Sequence, residues 1–375
     1  MNVAGLIFSN IHDQSIPEMA RMRTMASIPF GCRYRLIDFA LSNMVNADIN
    51  TVGVITHYNY QSLLDHIGTG KDWDLARRSG GIKILPPYVA AYENTAAGKL
   101  YSSRLEALMG AEHFINRCGA DYMVLSDCDV VMNLDLGAVL ADHVKSGAYL
   151  TMVTKHVNAD TFRFDKAVNL AQIGKDDRVR GVSRAKPESG EADVNTNIYV
   201  IKRTDLQSID SLAHGYTSFS RDIIRQNLDK KLIRAYRYDG WYAYIGTLES
   251  YFRTSMELLT PDARRGLFGA ADRKIYTKIR NSAPTKYCEG AEVKNSLVAN
   301  GCVIEGSVEN CVLFRGVHVG RGAHLKDCII MQDCYIEEEV EMENVILDKV
   351  VTVRAHGRLI GQRQYPIVIG KNVTL

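Results

Sequence analysis

The sequence predicts an α/β domain followed by a β-solenoid, and two patterns in the chain support this prediction. Over about the first 250 residues, short β-rich runs alternate with helical stretches, beginning with GLIF, RLIDFALSNMVNA and TVGVIT. Strands that alternate with amphipathic helices indicate a parallel sheet covered on both faces. From about residue 283 onward no helical period remains, and short, mutually similar segments recur instead.

The composition is that of an ordinary soluble protein. The 375 residues are enough for two or three domains, with 46% hydrophobic and 23% charged residues. The net charge of +2 argues against nucleic acid as the main partner, because a surface that follows phosphates usually carries a strong basic excess. Neither a signal peptide nor a bilayer-spanning apolar run is evident. We therefore expect a cytoplasmic protein whose partners include neither nucleic acid nor a membrane.

The solenoid is predicted from four related segments. They are VKNSLV at 293, VENCVL at 308, LKDCII at 325 and MENVIL at 342, so that their starts lie 15, 17 and 17 residues apart. A period near 17 is typical of a β-solenoid, in which each coil presents apolar residues inward at equivalent positions. The chain is therefore divided into an α/β domain at 1–258, a linker at 259–282 and a solenoid at 283–375.

The eight cysteines predict neither a metal centre nor a disulfide framework. They are irregularly spaced and include no C-x-x-C pair, which is consistent with a reducing compartment. Cys302, Cys311, Cys328 and Cys334 fall within the solenoid coils, where we expect them to be small buried apolar side chains.

The first long loop, residues 9–43, lacks the glycines that a phosphate-binding loop needs. It follows the apolar strand VAGLIF, and no glycine lies between Gly5 and Gly31. Ligands of open α/β sheets bind beyond the carboxyl ends of the strands, and glycines there let the backbone approach phosphates closely. The scaffold of a nucleotide site is therefore predicted without its phosphate cradle.

Several motifs together resemble the ADP-glucose pyrophosphorylase (glucose-1-phosphate adenylyltransferase) family. They are PFGCRYRLIDFALSNMVNADINTVGVIT, HIGTGKDWDL, GGIKILPPY, NTAAGKLY and IGTLESYF. The resemblance covers essentially the whole chain. It implies a Rossmann-like nucleotidyltransferase (GT-A-like) domain followed by a left-handed parallel β-helix of hexapeptide-type repeats. It also implies Mg²⁺-dependent chemistry that converts ATP and glucose 1-phosphate into ADP-glucose and pyrophosphate for glycogen synthesis.

The phosphate-binding loop departs from the family pattern G-G-x-G-x-R-L. Without a gap, the glycine positions fall on Asn10, Ile11 and Asp13, the arginine falls on Ser15, and a lysine before P-F-G-G falls on Met25. Glycine N–H groups and cationic side chains stabilise the charge that develops in phosphoryl transfer. An aspartate at a glycine position would repel a triphosphate.

The two magnesium ligands of the family are also replaced. The aspartate of L-S-G-D-H falls on Cys128, and the aspartate before G-T falls on Tyr244. A thiol or a phenol is a poor ligand for Mg²⁺. Asp127 and Asp129 flank Cys128, but alternate residues of an extended chain point away from it. We therefore expect no metal cofactor.

These departures favour a regulatory or scaffolding subunit, similar to the non-catalytic GlgD-type subunits of the family. The resemblance implies a heterotetramer with a catalytic ADP-glucose pyrophosphorylase subunit, with a homo-oligomer as the other arrangement. An alternative is an active sugar-nucleotide pyrophosphorylase whose rearranged metal site uses Asp127 or Asp129. A third interpretation, acyl transfer by the β-helix, would use a histidine. The histidines available are His318, His324 and His356.

The segments that face the substrates in the family are partly retained, as binding sites or as vestiges. The candidates on the sugar-phosphate side are Lys186 in RAKP, Asn195 at a position where the family has serine, and Asp222 in FSRDII. The candidates on the nucleotide side are His57, Thr95 and Ala96.

Arginines are concentrated in the altered loop and imply an anionic-effector site. In the family, basic residues around this segment and from the β-helix bind phosphorylated effectors, and guanidinium groups match phosphate geometry. The candidates are Arg21, Arg23, Arg33, Arg35, Arg358 and Arg363. The competing interpretation is a set of arginines that are solvated or paired at an interface.

Overall fold

The structure, a computed structural model, describes residues 1–86, 103–209 and 218–375. The strands of its N-terminal domain are β1 Val3–Phe8, β2 Pro29–Phe30, β3 Tyr34–Arg35, β4 Thr51–Ile55, β5 Gly81–Leu85, β6 Tyr122–Asp127, β7 Val130–Met132, β8 Leu150–Asn158, β9 Val168–Ile173, β10 Val179–Ala185, β11 Glu191–Lys202, β12 Ile233–Arg237 and β13 Tyr242–Tyr244. The helices are α1 Pro17–Ala20, α2 Leu36–Val45, α3 Gln61–Ile67, α4 Arg104–Gly110, α5 Glu112–Arg117, α6 Leu136–Ser146, α7 Arg203–Gln207, α8 Leu248–Glu257 and α9 Pro261–Phe268.

The central sheet of the described residues has the order β10-β9-β11-β6-β1-β4-β5, and β8 pairs with both β11 and β12. Strands β6, β1, β4 and β5 are parallel, as predicted. Strand β11 is antiparallel to β6 and β8, so the sheet is mixed. The reason is that β8 to β11 follow one another without an intervening helix, and the chain must therefore turn back on itself.

The sheet is buried on both faces. Along β1, Ile7 belongs to one core cluster, whereas Leu6 and Phe8 belong to another. Alternate residues of a strand point to opposite faces, so β1 contributes to a core on each side. Because β1 is parallel to β4 and β6, the carboxyl ends of these strands lie along one edge of the domain.

The segment predicted as a linker, 259–282, contains helix α9. Thr260 caps this helix by accepting a hydrogen bond from the Ala263 N–H, and Pro261 occupies the first turn. Ala263 and Leu267 are buried in a core that both domains share. The residues after Phe268 lead to the solenoid without regular secondary structure.

The C-terminal domain is a left-handed β-helix with three parallel sheets. The first contains β14 Lys286–Tyr287, β17 Val303–Ile304, β20 His318–Val319, β23 Tyr335–Ile336 and β26 Thr352–Val353. The second contains β15 Glu292–Lys294, β18 Ser307–Glu309, β21 His324–Lys326, β24 Glu341–Glu343 and β27 Arg358–Ile360. The third contains β16 Leu297–Val298, β19 Val312–Leu313, β22 Ile329–Ile330, β25 Val345–Leu347 and β28 Ile367–Ile369.

The sequence repeats coincide with the coils of this β-helix. The first residues of the four segments, Val293, Val308, Leu325 and Met342, are aligned in successive strands. Two residues later each coil turns with a positive φ, at Asn295, Asn310, Asp327 and Asn344. Asn and Asp tolerate this conformation better than other residues with a side chain. The four solenoid cysteines are buried, as predicted.

The two domains share a hydrophobic core. From the N-terminal domain it includes Ile16, Met19, Met25 and Phe30, and from the β-helix it includes Val312, Phe314, Ile329, Met331 and Ile346. The loop that would carry phosphate-binding glycines is therefore anchored on the β-helix. No helix among the described residues combines the length and apolar character needed to cross a bilayer.

Candidate functional site

The candidate site lies where β1 and β6 end side by side. Phe8, the last residue of β1, is in register with Asp127, the last residue of β6. The loop after β1 brings the His12 ring over this edge. The His12 Nε2 atom is 2.8 Å from Asp127 Oδ2 and 3.3 Å from Asp129 Oδ2.

Asp127 is bound by two cations of the chain itself. Arg104, at the start of α4, donates through Nε to Asp127 Oδ1 at 3.2 Å and through Nη2 to Asp127 Oδ2. Its guanidinium also lies over the rings of Phe8 and Tyr199, at 5.5 and 5.7 Å. Burial alone would raise the pKa of Asp127, but Arg104 and His12 hold it below its ordinary value. Asp127 is therefore a carboxylate already paired within the protein.

Asp129 lies beside this pair, but its carboxylate, unlike that of Asp127, is not hydrogen-bonded within the described part of the chain. It is 1% exposed, and neither carboxylate oxygen accepts a hydrogen bond from the described residues. Burial raises the pKa of Asp129, His12 opposes this effect, and Asp127 adds to it. For His12 itself, burial disfavours the charged ring, but Asp129 and Asp127 together raise its pKa. Among the described residues, these three form the one group of His, Cys, Asp and Glu whose ligand atoms all lie within 4.8 Å.

The side chains of Asp127, Cys128 and Asp129 alternate in direction, as predicted. That the two carboxylates would meet was not anticipated from the sequence. Cys128 is 1% exposed and belongs to the hydrophobic core. Asp127 and Asp129 point away from it, and because they point to the same side they meet at His12.

Tyr244 stands next to this cluster. It pairs with Val130 across β13 and β7, and the following Ile245 N–H donates to the Asp129 carbonyl at 2.7 Å. Lys166 places its ammonium 5.5 Å from the centre of the Tyr244 ring and donates to Ser15 Oγ at 2.8 Å. Burial, reinforced by Asp129, raises the pKa of Tyr244, so this phenol stays protonated.

The residues predicted to stand at the family's metal and phosphate positions do not fit a magnesium–triphosphate group. The Cys128 thiol is in the core, and Tyr244 is a protonated phenol beside an ammonium. Met25, at the lysine position, is 1% exposed in the core that both domains share. Asp13 Oδ1 accepts the Met25 N–H at 2.6 Å, so this loop is fastened by a carboxylate where the family has glycine. Burial raises the pKa of Asp13 to about 7.

Comparison with known proteins supports the family resemblance. Residues 19–260 match the family described as "Nucleotidyl transferase", and residues 283–365 match "GlmU-like, C-terminal hexapeptide". The glycogen biosynthesis protein GlgD of Bacillus subtilis (strain 168) is 35% identical over 375 residues, covering 98% of this chain and 96% of that protein.

Two glucose-1-phosphate adenylyltransferases are also similar in sequence to this chain. The protein of Clostridium perfringens (strain SM101) is 31% identical over 337 residues, which cover 88% of this chain and 84% of that protein. The protein of Geobacillus stearothermophilus is 33% identical over 307 residues, which cover 80% of this chain and 77% of that protein. The chain belongs to the glucose-1-phosphate adenylyltransferase family. This family includes proteins of glycogen biosynthesis, and the resemblance based on the sequence motifs is confirmed.

The family's sugar-phosphate positions are partly occupied by internal hydrogen bonds. Asn195 Nδ2 donates to the Tyr199 hydroxyl at 2.7 Å, and Asn195 Oδ1 accepts the Asn197 N–H at 2.9 Å. Asp222 accepts from the Ser218 N–H at 2.8 Å and pairs with Arg221. Lys186 is exposed after the end of β10. Of these candidates, Lys186 alone presents its side chain to solvent.

On the nucleotide side, His57 follows the end of β4. Its Nδ1 atom accepts the Tyr58 N–H at 2.7 Å, and burial lowers the pKa of the ring. Thr95 and Ala96 lie outside the described residues.

The candidate effector arginines have different surroundings in the structure. Arg23 is 2% exposed and donates to both carboxylate oxygens of Asp348. Arg358 is exposed and pairs with Glu341 at 2.8 Å. Arg363 lines a separate cavity beside α8, and Arg21 is exposed on the altered loop. Of the predicted cluster, Arg23 and Arg358 are thus held in ion pairs, and Arg363 lines a cavity other than the one that Arg33 and Arg35 line.

Arg33 and Arg35 share a cleft between the domains. Further basic residues that the sequence analysis did not identify line the same cleft. They are Arg280, Arg315 and Lys349. Arg35 donates to the Ser62 carbonyl and hydroxyl, whereas Arg33, Arg280, Arg315 and Lys349 form no ion pair within the described part of the chain. Burial, together with Arg35 and Arg23, lowers the pKa of Lys349 to about 7. Cationic side chains predominate in the lining of this cleft, and we name it the basic cleft.

Proposed function

We propose that this chain is a regulatory or scaffolding subunit of ADP-glucose pyrophosphorylase in glycogen biosynthesis, with little or no transferase activity of its own. The observation that carries the proposal is the internal pairing of His12, Arg104 and Lys166 with Asp127 and Ser15 where the family binds metal and phosphates. These groups bind one another, and the loop lacks the family's arginine and lysine, since Ser15 and Met25 stand at those positions.

The expected loss of rate is large. Removing one group that stabilises developing charge typically costs about 10² to 10³ in rate. In this chain, Ser15 and Met25 stand at the positions of the family's arginine and lysine, and Cys128 and Tyr244 stand at the metal positions. These losses are not strictly additive, but a site that lacks all four groups retains little chemistry.

The basic cleft supports a regulatory role. Arg33, Arg280 and Arg315 gather at the junction of two domains, and none of them forms an ion pair within the described part of the chain. Like charges held this close repel one another, and a bound anion relieves that repulsion. An anion held between the domains stabilises their arrangement, and a heterotetramer would transmit this effect to a catalytic subunit. A phosphorylated sugar is the effector class we propose.

The test compares pyrophosphate-coupled ADP-glucose synthesis by three samples. They are this chain alone, a catalytic family member alone, and the two mixed, each with and without fructose bisphosphate. We expect the chain alone to be inactive and the mixture to exceed the partner by itself. Arg358→Gln is the control, because the exposed pair of Arg358 with Glu341 lies outside the basic cleft. This variant should behave as the wild-type chain does in the same assay. A mixture with the activity of the partner alone, and no physical association of the two chains, would contradict the proposal.

One observation favours a second candidate function, an active pyrophosphorylase with a rearranged metal site. The side chains of Asp127 and Asp129 point to the same side of the chain, and both carboxylates lie beside the His12 ring. This candidate predicts turnover of ATP and glucose 1-phosphate by the chain alone, and its loss in Asp129→Asn. The absence of the family's arginine and lysine, at whose positions Ser15 and Met25 stand, is the reason that we prefer the regulatory role.

A further inference from the structure

Asp129 is a buried carboxylate whose hydrogen-bonding capacity is unused. Both of its oxygens are inaccessible to solvent and accept no hydrogen bond from the described residues. Burying a charged or polar group without a partner costs several kcal/mol, so such a group in a folded protein calls for an unseen partner. The nearest cationic atom is His12 Nε2, at 3.3 Å from Asp129 Oδ2.

The three donor atoms of this cluster lie within 4.8 Å of one another, close enough to converge on one ion. His12 Nε2 lies 2.8 Å from Asp127 Oδ2 and 3.3 Å from Asp129 Oδ2. Tetrahedral ligands bound to zinc at about 2.0 to 2.1 Å lie roughly 3.3 Å from one another. We propose that this chain binds one divalent transition-metal ion of the zinc class through His12 Nε2, Asp127 Oδ2 and Asp129.

The donor types select the kind of ion. An imidazole nitrogen suits zinc and its neighbours in the first transition row, whereas Mg²⁺ prefers oxygen ligands in near-octahedral geometry. The ligands also differ from those expected from the family's pattern, which would have been at Cys128 and Tyr244. The ion therefore belongs to this chain's own arrangement, and the proposal holds whether or not the chain regulates a partner.

The surrounding residues have the roles of supporting groups. Arg104 contacts Asp127 through Nε and Nη2 and fixes its orientation, as outer hydrogen-bond partners of metal ligands commonly do. Binding of the ion replaces the hydrogen bond between His12 Nε2 and Asp127 Oδ2. Lys166, the other nearby cation, has its hydrogen bond with Ser15 Oγ and does not contact Asp129.

The test is metal binding by the full-length chain after removal of metal with a chelator. Zn²⁺ is titrated in competition with a chromophoric chelator, and Co²⁺ is added separately to record the absorption of a nitrogen- and oxygen-ligated ion. We expect one equivalent per chain, with affinity at least about tenfold weaker in His12→Gln and in Asp129→Asn. Millimolar Mg²⁺ should not displace the Zn²⁺.

A matched control is available on the surface. His156 also contacts two carboxylates, Glu191 at 3.1 Å and Asp193 at 2.8 Å, but this group is exposed. His156→Ala should therefore leave the bound equivalent unchanged. Absence of saturable binding, unchanged affinity in both site variants, or loss of the equivalent in His156→Ala would overturn the proposal. If one site variant does not fold, the other variant and the wild-type Co²⁺ spectrum still decide.

Discussion

Arg23 and Asp348 form a buried ion pair that joins the N-terminal domain to the β-helix. The Nη2 atom of Arg23 lies 2.7 Å from Asp348 Oδ1 and 2.6 Å from Oδ2, and the side chains are 3% and 6% exposed. The Arg23 Nη1 atom also approaches Met331 Sδ in the shared core. An arginine that sequence reasoning assigned to effector binding is thus part of the junction between the domains.

Arg23→Met should destabilise the protein, because it leaves Asp348 buried without its partner. Breaking one side of a buried pair typically costs about 3 to 5 kcal/mol. Chemical denaturation would measure this cost, and the double variant Arg23→Met with Asp348→Asn should recover part of it. Arg358→Ala, which breaks an exposed pair, should change stability by less than about 1 kcal/mol. Equal effects of the buried and exposed changes would contradict this role of Arg23.

Arg33→Gln and Arg315→Gln should each weaken anion binding in the basic cleft. A hydrogen bond to a charged group is worth about 1.5 to 3 kcal/mol, so each change should weaken the affinity for fructose bisphosphate roughly tenfold or more. Titration calorimetry on the isolated chain measures this affinity. Arg363→Gln serves as the control because Arg363 lines another cavity. An equal loss in the control would show that the anion binds elsewhere.

Anion affinity in the basic cleft should fall as the pH rises above about 7. Burial and the neighbouring arginines lower the pKa of Lys349 to about 7, so its ammonium is present below that pH and is lost above it. A bound anion stabilises the Lys349 ammonium. At higher pH, Lys349 therefore takes up a proton when the anion binds. His66, hydrogen-bonded to Asp38 in the same region, has a lowered pKa and is already neutral in this range.

Sulfate is the suitable probe for this pH effect, because its own charge is constant near neutrality. Its affinity should fall several-fold between about pH 6.5 and about pH 8.5, since each unit above the pKa costs at most about tenfold. Lys349→Met should bind more weakly at the lower pH and show a flat profile. A wild-type profile that is already flat would exclude Lys349 as the titrating group.

Asp13→Asn should stabilise the protein at pH 8. The folded state holds the Asp13 proton up to about pH 7, whereas an unfolded aspartate releases it near pH 4. The folded state therefore binds more protons between these values, and stability decreases as the pH rises through this window. Asn keeps an oxygen for the Met25 N–H without the buried charge.

We expect the Asp13→Asn gain to be about 1 to 2 kcal/mol at pH 8 and to diminish toward pH 4 to 5. Denaturation curves at the two pH values measure it. The exposed Asp229 supplies the control, since Asp229→Asn should produce no such pH-dependent difference. A gain that is the same at both pH values would mean that the charge of Asp13 is not its source.

Much of the fold follows from local pattern. The alternation of strands and helices predicted the α/β domain, and the repeats at 293, 308, 325 and 342 predicted the coils that the structure shows. The helix at Pro261–Phe268 also carries a local signal, a capping threonine before a proline. This segment is nevertheless placed in a linker by the sequence analysis. The antiparallel half of the central sheet was not predicted, because pairing direction depends on which strands become neighbours.

By itself, the sequence predicted which side chains stand at the family's catalytic positions, because an ungapped match to the motifs assigns Ser15, Met25, Cys128 and Tyr244 to them. The tertiary structure decided which groups lie around them. Arg104 and Lys166 are distant from His12 along the chain, and the fold brings them to the candidate site, where Arg104 contacts Asp127 and Lys166 contacts Ser15. In the same way, Arg33 and Arg315 share a cleft only because the two domains are in contact. Charge–charge interactions depend on distance in space, which a local sequence pattern does not encode.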